Sequence, residues 1–174
     1  MRSSEPARLN GIVRPTTQEL ADLVQRLRSR VGLVSTPVTR RIEAGAIAKF
    51  ARATGQTDPR LLDPEGLYGI MEAPPTYLSV FCNDVLSGLI VHEGLPFTMY
   101  LHTEDHVELL RQLRAGDRIT AVAHYADVFV KEGRNGPILF QTAEMTLSDA
   151  AGKVVARVRV STASFNPQQA LDDE

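Results

Sequence analysis

Ile47-Ala48-Lys49-Phe50-Ala51-Arg52-Ala53-Thr54-Gly55-Gln56-Thr57-Asp58-Pro59, followed by Ala73-Pro74-Pro75-Thr76-Tyr77, is the stretch whose reading decides the fold. Its first part predicts a short helix over Ile47 to Thr54, ended by Gly55 and followed by an acidic turn at Asp58-Pro59. Pro74-Pro75 suits the first turn of a second helix, where a missing N–H costs nothing. That helix runs to about Leu89 and is apolar on most of its circumference, at Tyr77, Leu78, Val80, Phe81, Val85, Leu86 and Leu89. A helix so apolar is expected to be wrapped by other structure. Between the two, Pro59, Pro64, Gly66 and Gly69 break regular structure, and an irregular segment is expected over 59–72.

On the N-terminal side, residues 1–15 lack periodicity and are expected to form a flexible arm. Thr16 can cap a helix, with Glu19 three residues on completing a capping box. Leu20, Leu23, Val24, Leu27 and Val31 then follow at helical spacing until Gly32. Pro37 to Ile42 reads as a short strand. On the C-terminal side, from Phe97 onward, the pattern becomes antiparallel β. Val107 to Leu113 leads to a turn at Gly116-Asp117. Arg118 to Lys131, Pro137 to Ser148 and Lys153 to Phe165 follow as three long strands, with Asn135-Gly136 as a hairpin signal. A buried helix and such a meander satisfy each other if the sheet curls around the helix. That is an α+β architecture, expected as a single domain over 16–170.

At 174 residues, 43% apolar and 23% charged, the composition is that of one globular core. A net charge of −2 gives no electrostatic reason for a nucleic-acid or anionic-membrane partner. The lone Cys82 excludes an intramolecular disulfide and a multi-thiolate zinc site, and reads as a buried small hydrophobe. No apolar run approaches the roughly 18 residues a membrane span needs. The first residues lack the apolar core of a secretory signal, so a cytoplasmic location is expected. Nucleophile elbow, phosphate-cradling loop and dinucleotide fingerprint are all missing, so no cofactor and no metal are expected.

Phe50-Ala51-Arg52-Ala53-Thr54-Gly55, Ala73-Pro74-Pro75-Thr76-Tyr77, Leu101-His102, Leu113-Arg114-Ala115-Gly116-Asp117 and Ala150-Ala151-Gly152-Lys153, with Val31-Gly32 ahead of them, occur in one order. In that order and approximate spacing the chain resembles the MaoC-like and type I fatty-acid-synthase-like dehydratases. The resemblance implies a hotdog fold, a long central helix wrapped by a curved antiparallel sheet. It implies hydration or dehydration of acyl groups carried as thioesters on coenzyme A or acyl carrier protein. It also implies pairing of hotdogs, as a homodimer or as a heterodimer with a sister chain.

Acting members of that family carry Gly-Asp-x-Asn-Pro-x-His, where this chain reads Gly55-Gln56-Thr57-Asp58-Pro59-Arg60-Leu61. Adding water across a conjugated double bond needs a base for water and an acid at the α-carbon. The family aspartate falls on Gln56 and the family histidine on Leu61, and neither can do that work. Asp58 either supplies a displaced carboxylate or initiates a turn. His102 matches a histidine the family often shows, and with Glu104, Asp105 and His106 forms the densest titratable cluster. The same cluster also reads as a solvated polar edge. Asp58 and His102 are therefore the catalytic candidates, and Gln56, Pro75, Thr76 and Tyr77 the substrate-binding ones. Arg111, Arg114 and Arg118 either meet coenzyme A phosphates or mark a solvated strand end. Three functions remain open: a hydratase component whose reactive pair comes from a partner, a self-sufficient hydratase or thioesterase using Asp58 or His102, and a non-catalytic acyl-binding protein.

Overall fold

The computed structural model of the chain describes residues 15–167, together with the backbone of a small antiparallel ribbon, Arg8–Leu9 (β1) with Ile12–Val13 (β2). The rest of the arm expected over residues 1–15 lies outside the described residues. The first helix, α1, spans Thr17–Arg28 and opens on the expected capping box. The Glu19 amide donates to Thr16 Oγ1 at 3.2 Å, and the Thr16 amide donates to Glu19 Oε2 at 2.7 Å. Leu23 and Leu27 are buried. Val31 was expected on the same stripe but is 47% exposed, because the helix ends at Arg28 and residues 29–32 turn away. The Arg30 guanidinium then donates to the carbonyls of Gly88 and Leu89 and ties this exit to the far end of the central helix.

Strand β3, Val38–Arg41, leads into α2, Ala44–Ala53, which buries Ile47, Ala48 and Ala51. Gly55 follows at φ +72°, where an L side chain would be strained. The segment expected to be wholly irregular contains a single helical turn, α3, over Pro59–Leu62. Asp58 caps it and Pro59 opens it, so the local chemistry outweighs the breakers further along.

The central helix begins at Pro75. Its first seven residues, Pro75–Phe81, are 3-10 and the remainder, Cys82–Leu86 (α4), is α. Leu89, expected within it, is buried just beyond its end, past Gly88 at φ +80°. Tyr77, Leu78, Phe81 and Val85 point into the core. Thr76, Ser79, Asn83 and Ser87 are exposed at helical spacing, so one stripe of the helix is bare in the single chain. The helix is cradled from one side.

The cradle is a curled five-stranded antiparallel sheet in the order β3-β5-β6-β7-β4. Its other strands are β4 (Met99–Leu109), β5 (Arg118–Gly133), β6 (Gly136–Ser148) and β7 (Val154–Phe165). The three-stranded meander expected from the turn residues is β5-β6-β7. The strand expected over Val107 to Leu113 begins earlier, at Met99, and ends at Leu109, because its partner is β7 at the sheet's far side. Inward residues such as Ile119, Tyr125, Leu139, Met145 and Val155 are almost wholly buried. Each contributes about 1.5–3 kcal/mol of apolar burial. One buried polar side chain is partnered at both ends: Gln141 accepts from the Val91 amide and the Tyr125 hydroxyl, and donates to the Val91 carbonyl. That clip fixes the segment leaving the central helix onto the sheet. Helix in cradle is the hotdog architecture. Among the described residues, no helix is long and apolar enough to cross a membrane.

Candidate functional site

Three hollows lie along the central helix. The first, about 430 Å³, sits at its N-terminal end and gathers Gln56, Asp58, Leu61, Pro74 and Pro75. Its geometry follows from local structure. The Thr54 hydroxyl donates to the Phe50 carbonyl at 3.0 Å and the Gln56 amide to the Ala51 carbonyl at 2.9 Å, closing α2 over Gly55. The opposite wall is strapped down: the Ala73 amide donates to Leu113 O and the Ala115 amide to Met71 O, both at 2.8 Å.

In this groove Asp58 is already committed. Its carboxylate accepts the Arg60 amide at 2.9 Å, and Arg60 Nε and an Arg60 terminal nitrogen reach both oxygens at 2.6–3.1 Å. The Arg60 side chain and amide hold the Asp58 carboxyl below the usual carboxylate range, which makes it a weaker base. Gln56 offers an amide that cannot remove a proton, and Leu61 presents a half-buried hydrocarbon. Pro74 and Pro75 have no N–H, so Thr76 carries the first amide of the helix. Leu67, Tyr68 and Ile70, between 62% and 83% exposed, sit beside the groove, and Tyr68 and Ile70 line it. Sequence reading passed over them. Their signal was three large apolar side chains inside a glycine-broken loop, where solvent exposure normally selects polar residues.

The second hollow, about 610 Å³, lies between α2 and the middle of the helix, with Ile42, Phe50, Tyr77 and Val80 on its apolar walls and Arg41 and Lys49 among its charged ones. Tyr77 therefore faces away from the groove, edge-on to Phe50 with ring centroids 5.3 Å apart. Burial pushes its hydroxyl up. Of the four expected substrate-binding residues, Gln56 and Pro75 share the groove, Tyr77 lines the second hollow, and Thr76 stands exposed at the helix start.

The third hollow, about 420 Å³, lies between the second half of the helix and β4. His102 lines it and pairs with Asp105, Nε2 to Oδ1 at 2.7 Å. It shares no lining residue with the Asp58 groove, so one chain does not bring the two catalytic candidates together. His124 is on β5, 3.6 Å from Glu144. Two of the three clustered arginines are paired, Arg111 with Asp117 at 2.7 Å and Arg114 with Glu72 at 2.8 Å. Among the described residues, no group of three or more His, Cys, Asp or Glu could hold a metal ion.

This geometry can be set beside known proteins. The family model of the FAS1-like dehydratase domain region matches residues 29–158. A UPF0336 protein of Streptomyces griseus is 29% identical over 135 residues, spanning 70% of this chain and 89% of the relative. Among solved structures, the ChsH1-ChsH2 complex from Mycobacterium tuberculosis superposes with a TM-score of 0.64 at 17% identity, covering 91% of this chain and 100% of that one. The HadBC (3R-hydroxyacyl-ACP dehydratase) complex from the same organism gives 0.62 at 17% identity, covering 77% and 96%. At such identities the likeness is one of fold, and it agrees with the cradle and helix described above. The family match covers most of the chain, including the groove and most of the sheet: the chain belongs to the FAS1-like dehydratase domain region family, on a single hotdog.

Proposed function

We propose that this chain is the acyl-holding component of an enoyl-thioester hydratase or 3-hydroxyacyl-thioester dehydratase, with the reactive carboxylate and imidazole supplied by a sister hotdog. The observation that carries the reading is the groove at the start of the central helix. It keeps the turn and the double proline, yet holds Gln56 and Leu61 where base and acid are needed. Hydration takes a proton from water as its oxygen bonds to the β-carbon, builds enolate-like charge on the thioester oxygen, and returns a proton to the α-carbon. The Thr76 amide is a donor for that charge. Nothing on this chain's side of the groove moves the protons.

The apolar second hollow suits the acyl tail, and the Arg41 and Lys49 side chains at its wall suit the anionic end of a coenzyme A or acyl-carrier thioester. The sister chain fits against β4. This strand is an open sheet edge, its Met99, Tyr100, Leu101 and Val107 are 41–46% exposed, and the bare helix stripe lies beside it. A long exposed apolar edge is a pairing surface. The two Mycobacterium structures are likewise named as two-component complexes. A cytoplasmic location accords with a coenzyme A or acyl-carrier substrate.

The test is loss of the crotonyl-CoA double bond, followed by absorbance with the chain alone and after co-expression with a hotdog that keeps the Asp/His pair. The expected result is a background rate alone and turnover from the pair. Full activity from this chain alone would discard the proposal.

A further inference from the structure

The third hollow carries a second inference. On β4 the pairing register with β7 runs His102↔Thr162, then Glu104↔Ser161 and Asp105↔Val160, leaving Thr103 as an extra residue. In a regular strand, residues three apart point to opposite faces. The bulge at Thr103 inverts that parity, and β-bulges recur beside active sites because they re-aim side chains. Thr162 and Val160, two apart on β7, share the inner face, so His102 and Asp105 share it too and meet at 2.7 Å. Cys82 on the central helix feels the same carboxylate. Burial first and Asp105 second push its thiol up to about 11, so the Asp105 carboxylate acts on the helix side of the sheet.

We propose that His102 is the general base of a water-dependent acyl-transfer site in this hollow, with Asp105 as its positioning residue, and that the site hydrolyses acyl thioesters. When Nε2–H donates to Asp105, Nδ1 is left as the unprotonated nitrogen, the arrangement a base requires. Cys82 also lines the hollow, but a thiol with so raised a pKa stays protonated at neutral pH and is a poor nucleophile, which leaves water. The step balances with water as co-reactant. His102 takes one water proton while the oxygen bonds to the acyl carbonyl carbon. The tetrahedral intermediate collapses with breakage of the C–S bond, and the departing thiolate takes the proton from the imidazolium. The products are a carboxylic acid and a free thiol. Asn83, Ser87 and Tyr100 on the same walls offer neutral donors for the oxyanion. The titratable groups around His102 are Asp105 and Tyr100 on its own strand, Cys82 on the helix, and His92 on the segment between.

Only the choice of a thioester rests on the proposed function. The hollow opens toward the edge assigned to the sister chain, so the full-length chain is assayed both alone and paired. Thiol release from hexanoyl-CoA and hydrolysis of p-nitrophenyl hexanoate are recorded separately from crotonyl-CoA hydration. His102→Gln is expected to lower kcat for release about 100-fold with KM within about threefold, in line with the usual contribution of a general base. Asp105→Asn should lower kcat about tenfold with KM within about threefold, because the imidazole loses the carboxylate that orients it. Asp105→Glu should recover most of the rate. Release no faster than without protein from either probe overturns the proposal, as does an unchanged rate in a folded His102→Gln variant. Crotonyl-CoA hydration by the pair is expected to survive these substitutions, so failure of thiol release rejects the dyad alone and failure of hydration by the unsubstituted pair rejects the proposed function alone.

Discussion

The chain carrying Gln56→Asp together with Leu61→His hydrates crotonyl-CoA by itself, about 100-fold or more above the background of the natural sequence. Both side chains already line one groove with Pro74 and Pro75. The exchange therefore places a carboxylate and an imidazole in one groove at the start of the central helix. General acid–base groups in position contribute roughly 10²–10⁴-fold. Arg60 is already held by Asp58, so its guanidinium is not free to pair with the new carboxylate. Each single exchange should give far less than the double one, since one group then has to serve as both base and acid. Thermal melts establish that the variant folds. A folded double variant at background rate shows that the groove is not a silenced copy of the family's active groove.

Phe81→Ala is the second large effect, and it acts on stability. Phe81 has 0% exposure, at the junction of the 3-10 and α parts of the central helix. Deleting a buried phenyl ring costs about 3–5 kcal/mol, through lost transfer energy and the cavity left behind. Against a total of about 5–15 kcal/mol for a domain, that is a large share. The melting temperature should fall by on the order of 10 °C, at roughly 2–4 °C per kcal/mol for a chain of this length. Ser79→Ala on the bare stripe of the same helix should shift it very little. Equal effects from the two would mean that the helix is not cradled as described.

Some of this was legible in the residues and some was not, for a physical reason. Thr16 with Glu19, and Asn135-Gly136, are signals in which a few neighbouring atoms decide the outcome, and cap and hairpin stand where they were read. The 3-10 start of the central helix was not legible. Periodicity marks Tyr77, Leu78 and Phe81 as buried but does not separate a tight helix from an ordinary one. Val31 sat on the right stripe of a helix that had already ended. The true span of β4 depends on β7, whose paired residues lie 47 (Leu109↔Ala156) to 66 (Met99↔Phe165) positions downstream, and no local pattern carries that pairing.

In the candidate site, the replacement of the reactive pair by Gln56 and Leu61 could be read directly. What Asp58 does could not, because the Arg60 clamp depends on the turn of α3. Nor could the meeting of His102 with Asp105, which a single bulge decides against strand alternation.

The central claim is that the protons of hydration move on the sister chain, not on this one. The most direct measurement is the hydration rate of the assembled pair with substitutions confined to one chain at a time. Gln56→Ala with Asp58→Asn in this chain should leave the rate within about threefold, whereas replacing the sister's aspartate and histidine should lower it at least about 100-fold, the span of lost acid–base catalysis. Collapse of the rate on changing Asp58, with the sister's pair dispensable, would contradict the account.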